Sequence, residues 1–402
     1  MMSHSRQTSL FDDQRLTLRE AVEQSLASLR TYGERYRHWA LAYSGGKDST
    51  ATASFVAWAI KTGQVSAPDS LTVLYADTRQ ELQPLWVAAQ VFMDVLRSEG
   101  FDARVVLPEL DNRFYVYMLG RGVPPPSNRF RWCTPKLKIE PMEHALAALR
   151  PDSGEKYLQI TGVRQGESAA RDARIALSCS KDSGECGQGW FQAQPADHVG
   201  DTLAPLVHWR LCWVWDWLYF GHDDGWMQQQ TGYTQGHGYR GVGAIAAAYG
   251  DEDARTGCVG CNLASRDTAL ERLVTTQDWS HLAPLLELKS LFAELKKPHR
   301  RLRKAAPGVL KDGGYAKNGQ RMGPLTMEGR AYGLERILDI QQRARVDLIN
   351  AEEEVRIREL WTLNTWPDGW DGNEVIADVP LDRIQAVGTD LIVQPLLRLG
   401  AE

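Results

Sequence analysis

Short apolar runs alternate with longer segments of helical periodicity along the first part of the chain. Trp39–Tyr43, Leu71–Ala76, Arg104–Leu107 and Tyr157–Thr161 read as strands, and Thr17–Tyr32, Ser49–Lys61, Leu82–Ser98 and Lys136–Leu149 as helices. This β-α-β-α order predicts an α/β fold built on a doubly wound, mostly parallel sheet. Residues 178–202 are polar and Gly-rich and read as a long loop or insertion. After about residue 263 the pattern turns helical and charged, with a glycine-bearing loop over 306–332 and helix again over 328–361. The expected organisation is an N-terminal helical segment (1–34), an α/β domain (35–265) and a helical C-terminal region (266–402). No internal repeat or low-complexity tract interrupts it.

Composition narrows the class. A chain of 402 residues with 43% hydrophobic and 24% charged content can bury a sizeable core. Its net charge of −5 excludes a nucleic-acid binder that works through its overall field; such a surface has to be local. No apolar run approaches the roughly 20 residues of a membrane span, and the N-terminus lacks the apolar core of a signal peptide. A cytoplasmic chain without membrane contact is expected. In a reducing compartment its six cysteines point to metal or chemistry, not to a disulfide scaffold.

The first predicted strand runs into "SGGKDST", Ser44 to Thr50. Walker A spacing would need a glycine where Leu41 stands, so this is not a kinase-type P-loop. It has instead the S-G-G-x-D-S pattern of the PP-loop, which cleaves ATP between its α- and β-phosphates. Gly45 and Gly46 permit a tight turn and close backbone approach. The following helix start offers amides and a positive dipole end to an anion. Lys47 adds charge, and Ser44, Ser49 and Thr50 add hydroxyls. Asp48 is read as either a Mg²⁺ contact or an acceptor that structures the loop.

Other candidates lie at strand ends. Asp77 follows the second strand, where it can hold metal or nucleotide or cap a helix. Gly162 ends the fourth strand; Arg164 behind it can clamp a phosphate, Glu167 and Ser168 can position substrate, and Arg171 and Arg174 add charge. Cys258 and Cys261 form a C-x-x-C in a Gly-rich turn, a pattern that suits an iron–sulfur cluster, zinc or a redox pair. Basic neighbours (Arg131, Lys136, Lys138, Arg255) are expected to lower nearby thiol pKa values. Cys212, among tryptophans on a predicted helix, reads as a buried structural thiol. "HWRLCWVWDW" itself reads as core and as a wall beside the nucleotide. The run "KKPHRRLRK" (296–304) is either a solvated helical face or a contact for DNA or an acidic partner.

"YADTRQE", "RWCTPKLKIEPM", "ITGVRQGESAAR", "APLVHWRLCWVWDWL" and "YGDEDARTGCVGC" follow "SGGKDST" in order. The series resembles the phosphoadenosine-phosphosulfate reductase family of PP-loop proteins over roughly residues 35–265, with an adenine nucleotide α-hydrolase-like fold. Family reductases carry a nucleophilic cysteine in an E-C-G tail, whereas the only E-C-G here is Glu185-Cys186-Gly187. The cysteine pattern looks more like the DndC and SspD branch, which installs sulfur in DNA backbones in anti-phage defence. That resemblance implies ATP pyrophosphatase activity with ATP and Mg²⁺ and, for DndC, a [4Fe-4S] cluster. It places Cys133 with Cys258 and Cys261 as ligands, a fourth coming from Cys179, Cys186, Cys212 or outside. It also implies DNA, a cysteine desulfurase and other phosphorothioation proteins as partners. A sulfonucleotide reductase and a nucleotide-binding regulatory subunit without turnover are the alternatives.

Overall fold

A computed structural model describes residues 16–149, 154–166, 190–194, 198–234, 249, 257–308, 314–315, 319–387 and 390–395. Glu167, Ser168, Arg171, Arg174, Cys179, Cys186 and Arg255 lie outside the described residues. The chain forms two compact units that interleave in sequence: 1–76, 84–106 and 142–253 in the first, and 77–83, 107–141 and 254–402 in the second.

The first unit holds a six-stranded sheet. Its strands are β1 (His38–Tyr43), β2 (Ser70–Ala76), β3 (Asp102–Val106), β4 (Tyr157–Ile160), β5 (Trp190–Gln192) and β6 (Gly200–Ala204), in the order β3-β2-β1-β4-β6-β5. All neighbouring pairs are parallel except β5 with β6. The fold is therefore α/β with a mostly parallel central sheet. β1 and β2 are almost entirely buried, as their continuous apolar runs require of central parallel strands. The third strand ends at Val106, one residue before the predicted end. β5 and β6 correct the reading of 178–202 as a loop. Three-residue β5 and the sequence GDTLA of β6 carry too little apolar pattern to declare themselves; pairing with β4 and with each other makes them strands.

Helices α1 (Leu18–Gly33), α2 (Lys47–Lys61), α3 (Gln83–Ser98), α5 (Leu211–Phe220) and α6 (Asp224–Thr231) accompany this sheet, with α4 (Glu140–Ala148) between β3 and β4. α1 starts on a capping box, Thr17 with Glu20. Phe55, Trp58, Trp209 and Trp217 meet ring to ring at centroid distances of 5.4–5.6 Å. The Trp-rich segment is therefore core, as read from the sequence. Cys212 is not: it lies on the exposed face of α5, because Trp213, Val214, Trp215 and Trp217 take the buried one.

The second unit contains α7 (Thr268–Leu273), α8 (Glu287–Leu295), α9 (Met327–Ala344) and α10 (Ala351–Thr362). It also has a sheet of β7 (Arg301–Arg303), β8 (Met322–Leu325) and β9 (Val375–Ile376), and a hairpin of β10 (Arg383–Val387) with β11 (Asp390–Gln394). β8 and the start of α9 fall inside the segment read as a 306–332 loop. Two π-helical turns, Val116–Gly120 and Pro135–Ile139, stand in this unit; the second opens the helix predicted from Lys136. No described helix is long and apolar enough to cross a membrane.

Candidate functional site

The strand order reverses at β1, whose two neighbours are β2 and β4. Ligands of open α/β sheets bind at such a point, outside the carboxyl ends of the strands. Here Ser44–Gly46 leaves β1 and α2 begins at Lys47. Gly45 turns the chain with φ +72°, a conformation that glycine adopts without strain. No side chain caps α2 at Gly46, so its first turn keeps the anion-attracting character of a helix start.

The loop's hydroxyls hold the loop itself together. Ser49 Oγ donates to Gly46 O at 3.0 Å and accepts from Ser44 N at 3.2 Å. Thr50 Oγ1 donates to the same carbonyl at 2.9 Å and is fully buried. Thr50 thus builds the cradle from behind and does not line it.

Asp48 links the two cations. Its Oδ1 accepts from Arg164 Nε at 2.9 Å and its Oδ2 lies 3.2 Å from Lys47 Nζ. Arg164 is buried and also donates through Nη1 to the carbonyls of Gln165 (3.2 Å) and Trp209 (3.4 Å). Of the two roles expected for Asp48, the geometry displays the structuring one. Gly162 lets this happen: a Cβ there would stand 2.8 Å from Ser49 Cα and 2.9 Å from Ser49 N. The β4 exit therefore packs directly on the first turn of α2, and only glycine fits.

One residue went unassigned in the sequence. Tyr249 Oη accepts the Lys47 amide at 3.2 Å, and Lys47 Nζ lies 5.4 Å from the centre of its ring. Trp215 meets Tyr249 edge-on at 5.3 Å. Tyr249 opens the segment "YGDEDARTGCVGC", but no local pattern ties a tyrosine there to a loop about two hundred residues earlier.

The three candidate thiols fall in the second unit. The Cys258–Cys261 turn is closed by Cys261 N to Cys258 O at 3.1 Å. Val259 N donates to Gln80 O at 2.7 Å, and Lys289 Nζ to Cys261 O at 2.9 Å. Cys133 stands just before the π turn at 135–139. Burial pushes the Cys258 thiol up to about 12, and the charges of Glu81, Cys261 and Cys133 reinforce that; Lys138 opposes it without prevailing. Burial, with Cys261, also raises Cys133. At Cys258 and Cys133 the expectation that basic neighbours lower the thiol is therefore overturned: desolvation outweighs them. Cys258 senses the charges of Cys261 and Cys133, and Cys133 that of Cys261, so the donor chemistry fits a soft metal. Among the described residues, however, no three His, Cys, Asp or Glu side chains are grouped as a metal centre.

Asp77 also belongs to the second unit, where its Oδ1 accepts from Arg79 N at 2.8 Å and braces a turn at Arg79 (φ +57°). The basic run 296–304 is not a helical face. α8 ends at Leu295, and the run continues as a single 3₁₀ turn and β7. Its charges are largely matched: Lys297 with Glu294 (2.6 Å), Arg300 with Glu328 (3.0 Å), Lys304 with Glu374 (2.5 Å). Arg301 and Arg303 donate to the carbonyls of Gly323 and Val379.

Comparison with known proteins bears on the first unit above all. Residues 38–222 match the phosphoadenosine phosphosulfate reductase domain. The match spans β1, the glycine loop, Gly162, Arg164 and the Trp-rich helix. Among solved structures, the chain is similar to phosphoadenylyl-sulfate (PAPS) reductase from Candida auris in its phosphate complex, at 9% identity over 61% of this chain and 89% of that one, TM-score 0.32. It is also similar to Candida glabrata FMN adenylyltransferase with FMN and the ATP analogue AMPCPP, at 13% identity over 53% and 60%, TM-score 0.30. No functionally curated protein matches. The reductase-domain match supports a nucleotide-binding fold with sulfur-related chemistry.

Proposed function

We propose that this chain is an ATP pyrophosphatase coupled to sulfur transfer, acting on a DNA phosphate in a phosphorothioation system. The observation that carries the nucleotide part is the loop at the sheet's switch point, with Lys47 and Arg164 held on one carboxylate. Its spacing is not that of a γ-phosphate cradle, and pyrophosphate is the group such a loop is suited to hold. Mg²⁺ would accompany the triphosphate. An acceptor oxygen of DNA attacks the α-phosphorus and pyrophosphate leaves; the terminal sulfur of a cysteine desulfurase's persulfide then attacks the DNA phosphorus and AMP leaves, and a thiol reductant cleaves the remaining S–S bond, taking the desulfurase sulfur as a disulfide. Lys47 and the α2 amides neutralise the leaving pyrophosphate, and the Asp48–Arg164 bond fixes the loop in register. Cys133, Cys258 and Cys261 would hold an iron–sulfur cluster. Such a group, when bound, supplies an iron position for a sulfur donor.

The test is product analysis on the purified chain with ATP and Mg²⁺. AMP and pyrophosphate are expected; ADP and phosphate would overturn the reading. Lys47→Ala should slow turnover by the equivalent of about 2–4 kcal/mol, the scale of one lost preorganised donor. Serine at each of the three cysteines should reduce iron and acid-labile sulfide in anaerobically prepared protein. If all three variants keep their iron, the ligand set is wrong. A sulfonucleotide reductase is the second reading, favoured by the domain match itself. Sulfite release from PAPS or APS with thioredoxin would establish it in place of the first.

A further inference from the structure

From Asn112 to Ile139 the chain carries six cations, Arg113, Arg121, Arg129, Arg131, Lys136 and Lys138, and no acidic residue. Arg113 is paired with Glu352 and Lys136 with Glu140. Arg121 lies over the Tyr117 ring. Among the described residues, Arg129 makes no ion pair or hydrogen bond and Arg131 donates only to Asn128 Oδ1, at 3.1 Å. Both are exposed, and Phe130 between them is 49% exposed.

Backbone bonds and a buried anchor hold this turn. Ser127 and Phe130 exchange both backbone hydrogen bonds, N to O at 3.1 and 3.0 Å, closing a tight turn over Asn128 and Arg129. Trp132 anchors its exit: buried, it donates Nε1 to Pro124 O at 2.9 Å and stacks on Phe114 at 5.3 Å. Trp132 is buried, whereas Phe130, inside the turn, stays exposed. Cys133 follows directly.

We infer that the Arg129-Phe130-Arg131 turn is a contact for single-stranded nucleic acid. The inference rests on the proposed DNA acceptor and moves its binding surface away from 296–304, where carboxylates and carbonyls already take up most of the charge. Two guanidinium groups without a carboxylate partner among the described residues suit backbone phosphates. An exposed aromatic between them, its backbone bonded to Ser127, suits an unstacked base, which a duplex does not offer. An acidic protein segment would use the arginines and leave Phe130 idle.

The experiment is fluorescence anisotropy with a labelled oligothymidylate over a salt series, using the full chain. Arg129→Ala with Arg131→Ala should make the slope of log affinity against log salt shallower by about 1.4, from about 0.7 per single-strand phosphate contact. The paired lysine variants at both positions should keep the wild-type slope. Phe130→Ala should weaken binding roughly five- to hundredfold with the slope unchanged. Lys297→Ala, in the matched strip, should change neither. An unchanged slope in the double alanine variant, unchanged affinity in Phe130→Ala, or equal competition by polyglutamate would each overturn the inference while leaving the pyrophosphatase reading in place. If the wild-type chain binds no oligonucleotide, both this surface and the DNA acceptor fall, whatever ATP products are formed.

Discussion

Asp48→Asn separates the structural role of this carboxylate from any role at the ligand. The variant keeps size and one acceptor oxygen but leaves Lys47 and Arg164 beside an uncharged amide. The side chains of Lys47, Asp48 and Arg164 are only 15%, 14% and 9% exposed, so these are not screened surface pairs. At an effective dielectric of about 20, unit charges about 3 Å apart attract by roughly 5 kcal/mol, a gross figure that desolvation reduces. Removing one partner from a buried pair typically costs about 3–5 kcal/mol, because the remaining charge is left uncompensated. Urea unfolding of Asp48→Asn should show a loss of that order. Pyrophosphate, measured by calorimetry without divalent cations, should bind the variant roughly tenfold or more tightly, about 1.4 kcal/mol per decade, since it supplies the missing negative charge. Wild-type stability in the variant would refute the bridging role. Weaker pyrophosphate binding would show that Asp48 contributes to holding the anion rather than competing with it.

Gly162→Ala should cost about 1–3 kcal/mol of stability and depress pyrophosphate release disproportionately, because the new Cβ meets backbone that cannot yield without moving the first turn of α2. Gly308→Ala, where a Cβ meets nothing within 4 Å, is the control and should be silent in both assays. Asp201 offers a pH prediction. Burial opposes its ionisation, but hydrogen bonds from Tyr36 Oη (2.5 Å), Gln194 N (2.7 Å) and Lys156 Nζ (2.9 Å) outweigh burial and hold its carboxyl below the ordinary range. A depressed carboxyl stabilises the fold above its unfolded pKa, and that contribution is lost as pH falls through the folded value. Asp201→Asn should therefore be less stable at neutral pH and show a flatter acid limb below about pH 4; a wild-type acid limb would refute the assignment.

The parts of the site legible in sequence were those set by local chemistry. Gly-Gly-Lys-Asp-Ser after an apolar strand placed the loop, and Gly162 and Arg164 were found at the neighbouring strand end. What could not be read locally was the outcome of burial. Cys258 has basic neighbours in sequence, yet its environment favours the neutral thiol. Cys212 shares a helix with five buried residues and still points outward. The cations of 296–304 looked free because their partners, Glu328 and Glu374, come from distant segments. β5 and β6 are short strands whose identity comes from their pairing, and neighbours across a sheet leave no local pattern to read.

Tyr249 carries this furthest. The amide of a helix's first residue has a single proton to donate, and in this structure the phenol accepts it. A phosphate oxygen seated on the same amide has to displace that bond, and the cation over the ring has to turn toward the anion. Tyr249→Phe keeps the ring and the Lys47 contact while removing the competing oxygen. A net hydrogen bond between neutral groups contributes about 0.5–1.5 kcal/mol, so pyrophosphate should bind Tyr249→Phe roughly two- to tenfold more tightly by calorimetry. Tyr249→Ala, which also releases Lys47, should bind at least as tightly as Tyr249→Phe. Weaker binding in Tyr249→Phe would mean the opposite arrangement, in which the phenol's own proton reaches the phosphate and the hydroxyl belongs among the ligand's donors.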